Sequence, residues 1–310
     1  MATRPFPIDA RMTAIALAYR NPDVALIADQ VLPLTPTSAE FKWLKYDLAQ
    51  GFTVPDLKVG RKSYPTEVEF TATEQIDRVV DYALDDFIPN EDLEADNQGV
   101  DPRGTAVQYQ THLLNLAREI RAAGLVFNTN SYAVGNQTTL SGNSQWSDVV
   151  NSDPVAAISD ALDVPIYRPN IAVFGQSAWT KTRRHPKLVQ AIKGTAQGAG
   201  LVSRQEFADF FELHDVYVGA GFVNTAKKGQ TASTSRVWGK HAAFLYRDRA
   251  AGPQSGVSFG FTAQWGGRSA GSIVDEKRGY AGGEVVRVGE RVKEVVCATD
   301  LGYWFQNAVA

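Results

Sequence analysis

The 310-residue sequence predicts an α+β fold. Three observations point there. A run opened by Asp101-Pro102 has apolar residues recurring every three or four positions; two strand-like runs, 41–48 and 66–73, flank a tract bearing Gly and Pro; and after Asp153-Pro154 short helical and strand-like segments alternate. With 44% hydrophobic and 21% charged residues, the chain can bury a large core, in one domain or two, and is not disordered.

From the N-terminus, residues 1–40 contain Pro5, Pro7, Pro22, Pro33 and Pro36, which block long helices. They read as an extended arm with at most one short helix around residues 13–19. The arm has too few apolar periods for a core of its own, so it is expected to take its order from the surface of another subunit. Residues 41–75 read as an extended hairpin. Val68, Phe70 and Ala72 alternate with Glu67, Glu69 and Thr71, while Gly51, Pro55, Gly60 and Pro65 in the connection suit a long protruding loop better than a tight turn.

The helix is predicted over about 102–123. Asp101 serves as N-cap, Pro102 takes the first turn, Ala106, Tyr109, Leu113, Leu116 and Ile120 form the apolar face, and Gly124 supplies the stop. It should be roughly 33 Å long at ~1.5 Å per residue. The polar tract that follows, up to Pro154, offers no general acid, base, thiol or metal-ligand cluster. Asp153 then caps a helix at 154–162, and 171–174 is a strand. Helices follow at 178–184 and 187–193, and Ser203 with Glu206 forms a capping box opening a helix through 210. Strands are expected at 216–218, 241–246 and 257–265. A hairpin turning at Gly289-Glu290 joins 284–288 to 291–298, and a final strand covers 303–306.

Several chemistries are excluded or weak. One cysteine, Cys297, allows neither an intrachain disulfide nor a multi-thiolate zinc site. No apolar run approaches the ~20 residues of a membrane span, and residues 12–19 lack a signal-peptide cleavage site, so a soluble, cytoplasmically made protein is expected. His112, His185, His214 and His241 fit no metal-ligand spacing. Residues 92–99 lack the glycine and terminal glutamate of a calcium loop, and Gly239-Lys240 lacks the residues of a phosphate loop. Gly266-Gly267, Gly271 and Gly282-Gly283 suit tight turns at least as well as phosphate binding. The best enzyme signal is a strand-turn-helix around Ser177 followed by Asp215 and His241, the order of an α/β-hydrolase, although Trp179 stands where a small residue belongs. A formal charge of −3 argues against a nucleic-acid-coating surface but tolerates enclosed DNA. Charge is unevenly spread. Acidic residues run from Glu74 to Asp101 against Arg78 alone, just after the basic Lys58, Arg61 and Lys62.

A series of short motifs runs in order along the chain: AGLVFN from Ala123, Leu140-Ser141-Gly142, Gln145-Trp146-Ser147-Asp148, Asp153-Pro154, Arg168-Pro169-Asn170, His185-Pro186-Lys187, Val237-Trp238-Gly239-Lys240-His241, residues 259–265 and residues 302–307. The series resembles tailed-bacteriophage major capsid proteins with the Hong Kong 97-like fold, in a lambda-related group, over nearly the whole chain. The resemblance implies an N-terminal arm (1–40), an extended loop (41–75), a peripheral domain with a spine helix (76–152), an inserted axial domain (153–283) and return strands to the peripheral domain (284–310). It implies self-assembly into hexamers and pentamers of an icosahedral virion shell around double-stranded DNA, built in the host bacterial cytoplasm. Scaffolding, portal and possibly decoration proteins would be partners, and no catalytic residue, metal or cofactor is implied. An encapsulin-like cargo shell shares the fold and is the alternative, with the Ser177 hydrolase second. In the family the extended loop overlies a neighbour, so Lys58, Arg61 and Lys62 are expected to meet Asp85, Asp86, Glu91 and Asp92 of the next subunit.

Overall fold

The computed structural model describes residues 26–46, 52–68, 72–94, 101–194, 198–227, 229–250, 252 and 256–310. The expected helix around 13–19 and most of the calcium-like tract lie outside them.

The described end of the arm is built onto its own chain. Helix α1 (Ala28–Val31) is one turn, and Ile27, Ala28, Val31 and Leu32 are buried around it. Strand β1 (Leu34–Pro36) pairs in parallel with residues 262–264. This corrects the expectation that the whole arm needs another subunit. Four apolar side chains on one helical turn suffice when they complete a core that other elements supply.

β2 (Glu40–Tyr46) and β3 (Ala72–Arg78) form the base of the hairpin, with Glu40 opposite Arg78 and Tyr46 opposite Ala72. The second strand starts later than predicted because it is anchored at its far end. Phe41 and Val79 pack with Phe261, Ala263 and Val295, whereas Val68 is exposed. β4 (Val80–Pro89) continues β3 and leads into α2 (Asn90–Glu94).

α3 (Pro102–Val126) starts as predicted, with the Asp101 carboxylate accepting from the Gly104 N–H, but it runs through Gly124. Val126 is fully buried and holds the last turn in place, and the Phe127 N–H caps it on Ala123 O. The buried face also differs. Val107, Gln110, Thr111, Leu114, Arg118 and Ala122 point inward, while Tyr109 and Ile120 are exposed.

β5 (Gln137–Thr139), α4 (Pro154–Asp163), β6 (Ile171–Gly175), α5 (Gln176–Thr182), α6 (Pro186–Lys193), α7 (Arg204–Phe211) and β7 (Asp215–Gly219) follow. Asp153 caps α4 through the N–H groups of Val155 and Ala156, and the Ser203–Glu206 capping box closes in both directions. A small hairpin, β8 (Phe222–Asn224) with β9 (Thr234–Arg236), precedes β10 (Ala242–Leu245), β11 (Gly260–Gln264), β12 (Ser269–Asp275), β13 (Gly283–Val296) and β14 (Gly302–Gln306).

Two five-stranded sheets result. One has the order β1-β11-β13-β12, with β4 along the other side of β13; the other runs β5-β14-β10-β6-β7. The expected hairpin at Gly289-Glu290 does not form. β13 passes straight through, Gly289 lying opposite both Ala83 of β4 and Ser269 of β12, because β4 pairs along one side as far as Val292 while on the other side β11 takes over from Val292 where β12 ends. Sheet membership also divides the chain differently from the 283/284 boundary. β11 and β12 join the sheet beneath α3, and β14 joins the sheet of β6 and β10, paired with β10 and β5.

That second sheet is buried on both faces. Ala172, Phe174, Ala242, Phe244 and Phe305 pack against α4 to α7, while Ile171, Val173, Ala243, Leu245 and Trp304 pack against the end of α3 and residues 27–32. β6 and β10 accordingly read as unbroken apolar runs.

Candidate assembly surfaces

Residues 52–68 project from the β2–β3 base with almost no covering structure. Phe52, Val54, Leu57, Val59, Tyr64 and Val68 are all exposed, Tyr64 at 96%. What order there is comes from local bonds: Lys58 N to Asp56 Oδ1 at 3.0 Å, Ser63 N to Gly60 O at 3.1 Å, and Thr66 Oγ1 to Asp56 O at 2.9 Å. Lys58, Arg61 and Lys62 stand exposed on this loop. An apolar, basic loop of this kind is an incomplete surface.

The acidic segment is partly spoken for. Antiparallel pairing sets Arg287 opposite Asp85 and Arg291 opposite Asp81, so charges on one sheet face meet across the strands. Arg287 holds Asp85 at two points, 2.5 and 2.6 Å, Arg291 lies 3.2 Å from Asp81, and Lys293 pairs with Asp77. The hydrogen bond from Arg287 keeps the Asp85 carboxyl below its ordinary range. Sequence reading missed these three bases, although Arg287 and Arg291 share the four-residue spacing of Asp85 and Asp81. Asp86, Glu91 and Asp92 are exposed.

Behind these surfaces, buried charges fix α3. The Glu119 carboxylate, fully buried, accepts from the N–H groups of Ile27 and Ala28, each at 2.8 Å, and from the Trp238 indole. Burial pushes its pKa up, against the pull of these donors. Next to it, Arg118 bonds Asp29 at 2.7 Å and Glu290, which also takes Arg268 at 2.6 Å. Trp238 sits directly over Gly219, where a Cβ would fall 2.0 Å from its ring. The sequence signal was available: Arg118 and Glu119 break a charge-free stretch at 104–117.

No protein-family model matches the chain. A major capsid protein of Pseudomonas phage JBD67 is 51% identical over 311 residues, covering the whole of both chains. The chain belongs to the phage major capsid protein family. Among solved structures, a phage-related protein of Bordetella bronchiseptica RB50 has a TM-score of 0.76 at 20% identity, covering 98% of each chain. The capsid of cyanophage P-SCSP1u gives 0.58 at 8% identity, over 99% of this chain and 92% of that one. The fold is the Hong Kong 97-like capsid fold, and the full-length identity favours the phage capsid protein over the cargo-shell and hydrolase readings.

The geometry of this capsid protein does not assemble the hydrolase triad. Ser177 is exposed on α5 beyond one end of β6, and His241 lies near that end, its Nδ1 accepting from Asn307 N at 3.0 Å. Asp215 pairs with Ile171 at the other end of β6, roughly 13 Å away at ~3.3 Å per residue, and there it bonds Tyr217, Arg247 and Arg249. Burial pushes the Cys297 thiol up to about 12. It also lowers the pKa of His241 and of His185, which bonds Ser152 at 3.1 Å. Among the described residues no group of three or more His, Cys, Asp and Glu converges as a metal site, and no helix is long and apolar enough to cross a membrane. Arg268, in the glycine-flanked segment, is turned inward onto Glu290 and Asn115.

Proposed function

We propose that identical copies of this capsid protein assemble into hexamers and pentamers closing an icosahedral shell around double-stranded DNA, with the loop of residues 41–75 of each copy lying over the next. The observation that carries this reading is the uncovered loop, six exposed apolar side chains on a two-stranded base, in a chain so nearly related to a phage capsid protein. Each Å² it buries on a neighbour contributes about 25 cal/mol, repeated at every subunit. Residues 76–152 with β11, β12 and β13 would form the wall, and the rest of 153–283 would pack around each ring, with 1–40 as an arm and β14 tying the end of the chain to the sheet of β6 and β10. Lys58, Arg61 and Lys62 would face Asp86, Glu91 and Asp92 of the neighbour. Asp85 leaves the expected set because Arg287 already holds it.

Scaffolding, portal and decoration proteins are the further partners of this scheme. Assembly would take place in the host cytoplasm, and the virion would carry the product. No catalytic step is assigned to the chain. The formal charge of −3 suits a container that must not grip packaged phosphate. Negative-stain microscopy of the purified protein tests the reading: closed shells are expected, and dispersed protein or open aggregates under all assembly conditions would overturn it. Nucleic acid within particles from infected cells, rather than a protein cargo, separates it from a cargo compartment.

A further inference from the structure

The outward face of α3 is an apolar stripe that the described residues leave bare. Tyr109 is 62% and Ile120 41% exposed, Leu113 and Leu116 are half-buried between them, and a Cβ added at Gly124 would meet nothing. No Asp, Glu, Lys or Arg occurs at 104–117, and Arg118 and Glu119, which follow, point inward. A helix face left to water ordinarily carries charge; one with none is normally covered. Acids border one end of the stripe instead. Asp86 pairs with Val286, whose carbonyl accepts from Gln110 of α3, and Leu93 of α2 packs against the cluster of Ala106, Val107 and Val286, which sets Glu91 and Asp92 at the N-terminal end of the helix.

We propose that this stripe seats residues 52–68 of a second copy. With the loop of each copy overlying the next, as in the assembly reading on which this rests, α3 is the surface that receives it. Loop and stripe are bare in one and the same chain, so the loop does not cover its own α3, and a second copy is needed to bring the two together. Length and charge both match. Val54, Leu57 and Val59 are exposed on irregular backbone that reaches up to ~17 Å from Val54 to Val59 at ~3.4 Å per residue. The stripe from Tyr109 to Ile120 is ~16 Å long at ~1.5 Å per residue. The acids set the direction: Lys58, Arg61 and Lys62 go to the end near Tyr109, so Val54 comes to the end near Ile120.

The test places the photo-cross-linker p-benzoylphenylalanine at residue 54 or, separately, at residue 59 of the full chain, in shells assembled from a mixture of isotope-labelled and unlabelled copies. After irradiation, mass spectrometry is expected to find attachments between copies within residues 105–124, from position 59 near Tyr109 and from position 54 near Ile120, and to lose them when the shells are dispersed first. Attachment elsewhere on the neighbour, or in the reverse order along α3, would overturn the proposal while the loop still overlies the next subunit. Shells with no attachment between copies would overturn both. A probe that blocks assembly at one position leaves the other to locate the seat.

Discussion

Replacing Glu119 with alanine should unseat the start of the described chain from α3. The substitution strands three donors, the backbone N–H groups of Ile27 and Ala28 and the Trp238 indole, in a region closed to water. Each unsatisfied buried donor costs about 1–3 kcal/mol. Three give ~3–9, reduced by relief of the carboxylate's own burial cost, which its raised pKa signals. A net loss of about 4 kcal/mol is expected, or roughly 8 °C in thermal midpoint at ~2 °C per kcal/mol for a chain of this size. Thermal unfolding of the dispersed subunit measures the total, and hydrogen exchange at the amides of residues 27 and 28 localises it. The pH dependence has a definite sign. A carboxyl whose folded pKa is raised contributes its stability below the ordinary carboxylate value and loses it as pH rises through the folded value. The native protein should therefore lose stability relative to Glu119→Gln from about pH 4.5 upward. A midpoint within 1 °C of native for Glu119→Ala, with both amides still protected, would refute the reasoning.

Four further outcomes are expected. Protease should cut the dispersed protein within residues 52–68 early and leave the same bonds intact in shells, as read by mass spectrometry of the fragments. Lys58→Glu/Arg61→Glu/Lys62→Glu should impair assembly by light scattering, and adding Asp86→Lys/Glu91→Lys/Asp92→Lys should partly restore it; failure of every such combination would remove the charge pairing. Asp85 has a lowered pKa, so its pairing with Arg287 contributes above the ordinary carboxylate value and is lost as pH falls through the folded one. Being well exposed, it should count for only about 0–1 kcal/mol, so Asp85→Asn should change denaturant midpoints slightly at pH 7 and not at all at pH 2. Gly219→Ala must displace the Trp238 ring and should reproduce part of the Glu119→Ala effect.

Local chemistry was legible in the sequence, and non-local choices were less so. The caps at Asp101, Asp153 and Ser203 stand where the sequence puts them because their signals lie within a few residues of the bonds they make. The face of α3 was misread because both faces are apolar and the buried one carries Gln110, Arg118 and Glu119, whose partners Val286, Glu290 and Trp238 are distant in sequence. Gly289-Glu290 looked like a turn for the same reason. Only the strands flanking β13 hold it extended, and only Arg118 and Arg268 make a buried Glu290 acceptable. Of the acids proposed for assembly, sequence could not reveal that Asp85 faces Arg287, since register decides it.

The doubly buried sheet of β6 and β10 limits where this molecule can bend. Phe174 and Phe244 commit one face to α4–α7, and Val173 and Leu245 commit the other to α3, so the strands are a party wall shared by both halves. Tilting one half against the other would shear close-packed aromatic and branched side chains on two sides at once. A container whose vertices and facets curve differently needs compliance somewhere. In this chain it falls to the tethers outside the wall, chiefly the bare loop at 52–68, so the radius of a particle would be tuned at the joints between tiles while each tile stays stiff.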